Sequence, residues 1–228
     1  MVADMSRSTL LTNSSFLGEL HQEFLSRLVD LASVIERKKG DVLFMHGDRG
    51  DALYVVETGA VEISVVAASG KKLSLNVMKQ GDVFGEIAVL EQSSRTATAR
   101  VLTTSRLLRV SHQNIVELIE RQPHVALELI RILCERLRWA TEQLEDRSFL
   151  PFAVRLAKRL LFLCDQLPGN NDAARISQSE LAEFLGASRE ITSKTLNKWR
   201  ERGWVAISRG SIRIVDRSVI ETMAVAHD

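Results

Sequence analysis

A glycine turn, a carboxylate and an arginine lie together in the stretch Gly81–Ala97, GDVFGEIAVLEQSSRTA. Gly85 precedes Glu86, and Arg95 follows nine residues later with Thr96 after it. Backbone N–H groups and a guanidinium bind phosphate, and a carboxylate accepts a hydrogen bond from a ribose hydroxyl. The stretch therefore predicts a site for an anionic ligand that also carries sugar hydroxyls.

Short alternating, β-branched segments surround this stretch in the sequence. They are Asp41–Phe44, Ala52–Glu57, Ala60–Ala67, Lys72–Met78 and Arg106–Val110. Glycine turn signals separate them, including ThrGly at 58–59 and ArgGlyAsp at 49–51. Many short strands at regular spacing predict an antiparallel β-barrel or sandwich. We expect no secretion signal, so we interpret ArgGlyAsp as a turn and not as a cell-adhesion motif.

Helical patterns flank the strands. One covers Phe16–Ile35, another Ser111–Glu120, and a longer one runs from Pro123 to Phe149. The long pattern has a stripe spaced 4-3-4-3-4-3, consisting of Ala126, Ile130, Leu133, Leu137, Ala140, Leu144 and Arg147. Such spacing predicts a coiled-coil seam, although an amphipathic helix packed on its own barrel has nearly the same period. Small residues on the seam favour a parallel dimer helix, with Ile130, Leu133, Leu137, Ala140 and Leu144 at the interface.

Pro151 ends the long helix, and we expect a hinge there. A further helix is predicted over Phe152–Leu167. The domain limits predicted from these breaks are 1–122 for the β domain with its helical lead-in, 123–150 for the dimerisation helix and hinge, and 151–228 for a DNA-binding domain.

The C-terminal part contains the pattern of a helix-turn-helix. Ser177 and Glu180 form a capping box, Gly186 turns the chain, and Ser188 is a second N-cap. The second helix would bury Thr192, Thr195, Leu196 and Trp199, and would expose Arg189, Glu190, Ser193, Lys194 and Asn197. Arginine pairs with guanine and glutamate accepts from cytosine in a major groove.

A predicted β-hairpin, Trp204–Val215, turns at Arg209–Gly210 and completes a winged helix. Arg209 at its tip would contact a phosphate. For an isolated helix, a solvated Arg189–Glu190 charge pair would be the simpler interpretation. The ordered caps, turn and wing favour DNA binding.

The N-terminal and C-terminal parts of this 228-residue chain differ in net charge. Residues 152–228 hold 12 lysines and arginines against 9 acidic residues, a net charge of +3, whereas residues 1–151 have a net charge of −2. This is a mild basic footprint, compatible with nucleic acid. Cys134 and Cys164 form no metal or disulfide pattern, so we expect a cytoplasmic protein. No apolar run approaches membrane-spanning length, so we expect no membrane span.

The order of these motifs resembles the cyclic-AMP receptor protein (CRP/FNR) family of bacterial transcription regulators. GEIA at 85–88, RTA at 95–97 and SRE at 188–190 carry the resemblance, which covers about Phe16 to Val215. It implies an α+β fold: a cyclic-nucleotide-binding β-roll (double-stranded jelly-roll), a long dimerisation helix and a winged helix-turn-helix.

The resemblance also implies a ligand pocket. Glu86 would accept from the ribose 2′-hydroxyl, Arg95 would neutralise the cyclic phosphate, and Thr96 would bond phosphate or base. The pocket would consist of Gly85, Glu86, Ile87, Ala88, Arg95, Thr96, Ala97 and Thr141, with apolar walls at Ile63, Leu75 and Met78. No metal and no catalytic residue is implied.

Two positions bear on which base binds. Family members that respond to cyclic AMP use two helix hydroxyls against adenine; one is kept as Thr141, but Ala140 lacks the other. Thr96 resembles sites that accept cyclic GMP, where the hydroxyl meets the guanine 2-amino group. We expect cyclic AMP as the first effector, with cyclic GMP as the alternative and binding of both nucleotides open.

For DNA, the resemblance implies that Arg189 and Glu190 bind bases of a palindromic, TGTGA-like site. Lys194 replaces a second arginine, and a lysine lacks the planar fork. The implied DNA-contacting set is Ser177, Ser179, Ser188, Arg189, Glu190, Ser193, Lys194 and Arg209. A homodimer and RNA polymerase are the implied partners.

Three alternatives stay open: a redox or gas sensor of the same family, a ligand-independent member, and an enzyme that hydrolyses cyclic nucleotides. Iron–sulfur members need a cysteine cluster, which two distant cysteines do not supply. Glu86 and Arg95 have no second carboxylate or nucleophile–base pair beside them in sequence, so we expect a protein that is not an enzyme.

Overall fold

The computed structural model describes residues 19–166 and 172–225. Their contacts divide the chain into two compact units. The first unit holds the chain through Ile63 together with Met78–Arg138, and the second holds Ser64–Val77 and the residues from Trp139 onward. The predicted limits at 122/123 and 150/151 remain a prediction.

The first part of the chain alternates between strands and short helices. Its elements are α1 (Glu19–Leu31), β1 (Ser33–Arg37), β2 (Val42–Phe44), β3 (Ala52–Val66), β4 (Lys72–Met78), β5 (Val83–Phe84), α2 (Glu86–Leu90), β6 (Thr98–Ser111), α3 (His112–Arg121) and α4 (His124–Phe149). The strands are ordered β1-β6-β3-β4 in one sheet, with β2 also pairing with β6 and β5 with β3. The predicted antiparallel β architecture, followed by a long helix, is confirmed.

Two hydrophobic clusters hold the first unit together. One joins buried residues of α1, α3 and α4 to the sheet, among them Phe24, Leu28 and Leu129. The other contains the rings of Phe44 and Tyr54, whose centroids lie 5.8 Å apart. The second cluster supports the predicted ligand site, because it includes the β5 residue that leads into Gly85.

The helical lead-in is shorter than predicted. Phe16 to Gly18 lie outside the described residues, α1 ends at Leu31, and Ile35 belongs to β1. Ile35 pairs with Leu107 in an antiparallel ladder with β6. Long-range strand pairing thus overrides the local helical period.

Gly59 lies inside a strand and not in the predicted turn. The two predicted segments Ala52–Glu57 and Ala60–Ala67 join into β3 across it, and its φ is +96°. A Cβ on Gly59 would lie 2.2 Å from Ser105 Oγ and 2.7 Å from Ser105 Cα. Glycine is therefore required at position 59 for two reasons: the backbone is in a left-handed conformation, and β6 approaches too closely to leave room for a side chain.

The second unit contains the predicted winged helix. Its further elements are α5 (Phe152–Gln166), β7 (Ala173–Ala174), α6 (Gln178–Leu185), α7 (Arg189–Glu201), β8 (Val205–Ser208), β9 (Ser211–Ile214) and α8 (Arg217–Val225). Strands β7, β9 and β8 form an antiparallel sheet. The helix break at Pro151 is confirmed, whereas β7 and α8 were not predicted. No helix in the described ranges has the length and apolar character that crossing a bilayer demands.

Gly59→Ala should lower the free energy of unfolding by more than about 2 kcal/mol, because the new methyl group adds a clash to left-handed backbone strain. Gly40→Ala is the matched control: its φ is +95° and a Cβ there would meet nothing within 4 Å. We expect this control to lose about 1 kcal/mol. Urea unfolding measures both, and equal losses would contradict the packing explanation.

Candidate functional site

Gly85 brings Glu86 and Arg95 together at the start of α2. Gly85 has φ +80° and is the N-cap of this helix, so Glu86 is its first residue. A Cβ on Gly85 would lie 2.8 Å from Arg95 Nη1. Only glycine satisfies both the backbone angle and this approach without displacement.

Arg95 is held almost entirely inside the first unit, with 2% of its surface exposed. Its Nη1 donates to the Gly85 carbonyl at 2.9 Å, and its Nη2 donates to the Ala52 carbonyl at 2.7 Å. The guanidinium lies 4.2 Å from the centre of the Phe44 ring. Its buried Nε–H finds no acceptor among the described residues. Burial lowers the pKa of Arg95, while Tyr54 and Asp51 raise it.

Asp51 is the nearest carboxylate to this guanidinium. Its Oδ1 lies 3.5 Å from Arg95 Nη2, but its Oδ2 accepts a much closer bond, 2.6 Å, from Arg109 Nη2. The shortest hydrogen bonds of Arg95 are therefore made to neutral carbonyls, and its ion pair with Asp51 is longer. Such a group fits an anionic ligand, since the orphaned Nε–H needs an acceptor.

The ArgGlyAsp segment is extended and is not the predicted turn. Arg49 forms a bridge with Ser94, and Gly50 N donates to Ser93 O at 3.2 Å. A Cβ on Gly50 would lie 2.3 Å from the Cβ of Ala88. The glycine is required by close packing against α2, and this packing brings Asp51 to the arginines.

Glu86 is buried, with 4% of its surface exposed. One carboxylate oxygen lies 4.0 Å from Arg136 Nε. Arg136 Nη2 also donates to the Val83 carbonyl at 2.7 Å. Burial raises the pKa of Glu86, and the charges of Arg136 and Arg95 act in the opposite direction.

Arg136 was not found from the sequence, although a signal was present. It continues a buried α4 stripe at 4-3-4 spacing, formed by Val125, Leu129 and Ile132. A charged residue at the end of such a stripe faces the packed side of its helix. Asp51, the other missed residue, had no comparable local signal.

The other predicted pocket residues occupy varied positions. Met78 is buried in the aromatic cluster with Ile63 packed against it, Ala97 is buried, and Thr96 is exposed. Ile87 is partly exposed on α2. Leu75 on β4 and Thr141 on α4 belong to the second unit, so the geometry of the first unit does not include them. Their part in a ligand site stays a prediction.

The caps of the second unit form as predicted. Ser177 Oγ accepts from Glu180 N at 3.2 Å while Glu180 Oε2 accepts from Ser177 N at 2.8 Å. Gly186 ends α6 with φ +58°, and Ser188 Oγ accepts from Ile191 N at 3.3 Å. Both serine hydroxyls keep a proton for a phosphate oxygen.

Helix α7 presents the predicted polar face. Thr192, Leu196 and Trp199 are buried, whereas Arg189 and Glu190 are exposed. Thr195, which was predicted to pack inward, is only half-buried, and its hydroxyl donates to the Ile191 carbonyl at 2.9 Å. The rest of the predicted DNA-contacting set is exposed or half-buried: Ser177, Ser179, Ser188, Ser193, Lys194 and Arg209. Ile191, which the sequence argument passed over, is 43% exposed on the same helix.

Comparison with known proteins matches both constellations. The family model for the cyclic nucleotide-binding domain matches residues 34–122, and that for the Crp-like helix-turn-helix domain matches residues 154–223. The cyclic AMP receptor protein of Thermus thermophilus is 34% identical over 86% of this chain and 92% of its own length. The chain belongs to the CRP/FNR family.

Further relatives support the CRP/FNR assignment. The CRP-like cAMP-activated global transcriptional regulator of Mycobacterium tuberculosis is 28% identical over 91% of this chain and 95% of its own length. Among solved structures, a CRP/FNR family regulator from Thermus thermophilus has a TM-score of 0.75 at 24% identity, covering 86% of this chain and 100% of that chain. The latter likeness shows the fold alone.

The two matched regions contain the main charged residues of the two sites predicted from the sequence. Glu86 and Arg95 lie within the nucleotide-binding match, and Arg189 and Glu190 lie within the helix-turn-helix match. Arg136 lies between the matches, on α4. The α+β fold class and the order of a β domain, a long helix and a helix-turn-helix are confirmed.

Glu86→Gln should stabilise the ligand-free protein at pH 7. The pKa of Glu86 is raised in the fold, so its charged form is less favourable there than in the unfolded chain. The penalty is present above the folded pKa and disappears as the pH falls towards its ordinary value of 4.5. We expect a gain in the free energy of unfolding at pH 7 that shrinks on acidification.

Urea unfolding between pH 4.5 and pH 7.5 measures this gain. Glu117→Gln, at an exposed position on α3, is the control and should show no comparable trend. A pH-independent gain, or a loss at pH 7, would show that burial does not dominate at Glu86.

Proposed function

We propose that this chain is a cyclic-nucleotide-responsive transcription regulator whose β domain binds cyclic AMP, with cyclic GMP as an alternative or additional effector. The orphaned Nε–H of buried Arg95, in the same site as Glu86, carries the proposal. Arg95 would neutralise the cyclic phosphate, and Glu86 would accept from the ribose 2′-hydroxyl. Arg136 beside Glu86 would keep that carboxylate ionised and oriented.

The relatives support cyclic AMP as the first effector to test, because several are named as cAMP-activated regulators. Cyclic GMP has the same phosphate and ribose, so the buried charges do not separate the two nucleotides. Thr96 and Thr141 supply the hydroxyls proposed to contact the base. Ala140 supplies only a methyl group, which removes one adenine contact.

Calorimetric titration with cyclic AMP and cyclic GMP tests the ligand. Arg95→Ala should weaken binding by more than tenfold, because a charge-assisted bond to phosphate contributes about 1.5–3 kcal/mol. Arg100→Ala is the control: this arginine lies in β6, is exposed and donates to the Gly40 carbonyl at 3.1 Å. A nucleotide that bound the Arg95 variant unchanged would refute the site assignment. We expect the nucleotide to be recovered intact after incubation, as for a non-enzyme.

The exposed face of α7 supports DNA binding. Arg189 and Glu190 stand at its first two positions, where a recognition helix meets base edges. Arginine would pair with guanine and glutamate with cytosine of a TGTGA-like half-site. Ile191, exposed beside them, suits contact with a thymine methyl group.

An exposed apolar stripe on α4 supports a homodimer. Ile130 is 52% exposed and Leu144 is 66% exposed within one chain. These two, with Leu133, Leu137 and Ala140, form the proposed parallel seam. A dimer would carry two copies of α7 and would require a palindromic operator with half-sites about one helical turn apart. RNA polymerase is the proposed partner on DNA.

Arg189→Ala should reduce sequence preference, whereas Arg209→Ala should weaken all DNA binding alike. Loss of the base contact costs about 1–3 kcal/mol for the TGTGA-containing duplex and much less for a scrambled duplex. Loss of Arg209 should instead lower the slope of log affinity against log salt concentration by the contribution of about one phosphate contact per protomer. Fluorescence anisotropy with both duplexes at several salt concentrations separates these outcomes, and equal losses from Arg189→Ala would argue against base contact.

The mechanism proposed for the switch is a shift between two populations of the dimer. Ligand binding and DNA binding then favour each other by the same factor. The anisotropy measurement is therefore repeated with and without saturating cyclic AMP. Equal operator affinity in both conditions would refute the coupling and favour a ligand-independent regulator.

A further inference from the structure

A cavity of about 70 Å³ lies within the second unit, where the last turns of α4 meet α5 and α6. Trp139, Phe162 and Phe184 contribute aromatic rings to its lining. A space of this size holds a few water molecules or one small anion, and it is too small for a nucleotide. Thr96 and Thr141, which are proposed to contact the base of the cyclic nucleotide, do not line this cavity.

Four cationic side chains line this cavity: Arg147, Arg155, Lys158 and Arg159. The one carboxylate in the lining, Asp146, accepts a bond of 3.0 Å from Lys158 Nζ. Neither Arg155 nor Arg159 pairs with a carboxylate in the described parts of the chain. The cavity therefore holds more positive charge than its protein surroundings neutralise.

Arg159 is the most enclosed of the four, with 9% of its surface exposed. It donates to Gln143 Oε1 and lies 5.3 Å from the ring centre of Phe162. Burial, together with the charge of nearby Arg147, lowers the pKa of Arg159 to about 10. The side chain is thus still charged at neutral pH, where an enclosed cation without a counter-ion is unfavourable.

Arg155 adds an unused donor. Its buried Nε–H has no acceptor among the described residues, although its guanidinium lies 5.8 Å from the ring centre of Phe152. An unused N–H, three arginines and a small volume together favour a compact oxyanion as the ligand.

We propose that this cavity binds a phosphate group. The phosphate would accept a hydrogen bond from Arg155 Nε and would neutralise the charges of Arg147 and Arg159. Arg147 also packs over Gly186, where an added Cβ would lie 2.3 Å from its Nη2. The bound group would thus connect the end of α4 to α5 and to the turn that precedes α7. This site is separate from the one around Arg95.

Inorganic phosphate, titrated into the full chain at constant ionic strength against chloride, tests the proposal. The readouts are the emission of Trp139 and the midpoint of thermal unfolding. We expect saturable changes in both; Trp139→Phe should remove the emission change and keep the thermal shift. Glycerol phosphate in a parallel titration shows whether the site accepts free phosphate alone or also the phosphate end of a larger molecule.

Arg155→Gln should weaken phosphate binding at least tenfold. Arg147→Gln, at an exposed position, gives the same test without altering a buried group. Arg121→Gln on α3 is the control and should bind as the unaltered chain does. Phosphate and chloride acting alike, or full phosphate binding by both cavity variants, would overturn the proposal.

Discussion

The buried guanidinium of Arg95 is the constraint on which the candidate nucleotide site depends. Taking a cation out of water costs several kcal/mol even after relaxation. The fold offsets this cost with the carbonyls of Gly85 and Ala52 and with the face of Phe44. Each partner restricts the sequence, because the carbonyl of residue 85 reaches the guanidinium only where a side chain is absent.

The same region leaves a second charge partly uncompensated. Glu86 lies at the limit of an ion pair, 4.0 Å from Arg136, and its pKa is raised by burial. Arg95 and Glu86 thus remain available on the inside of one domain, the cation with an unused N–H. An arrangement selected only for stability would pair or remove these groups, whereas a preorganised ligand site keeps them. The local cost in stability is thus an argument for binding.

Local patterns in the sequence predicted the parts of the structure that depend on near neighbours. The capping box at Ser177, the turn at Gly186 and the hairpin at Gly210 involve residues no more than a few positions apart, and all three formed. The limits of α4 also agree with the sequence prediction to within one residue, because Pro123 and Pro151 mark its two ends locally.

Features that depend on contacts between distant segments were not predicted from the sequence. Asp51 reaches Arg95 across 44 positions, and its role depends on the packing of Gly50 against Ala88. The residues of β1 continue the helical period of α1 in the sequence, but they form a strand because they pair with β6. Strand β3 continues through Gly59, where Ser105 of β6 packs against the glycine. Discrimination between adenine and guanine in the bound nucleotide would also depend on residues from distant segments. In the proposed site the buried charges would act on phosphate and ribose, which cyclic AMP and cyclic GMP share, so selectivity would have to come from residues such as Thr96 and Thr141 that lie outside the buried charged set.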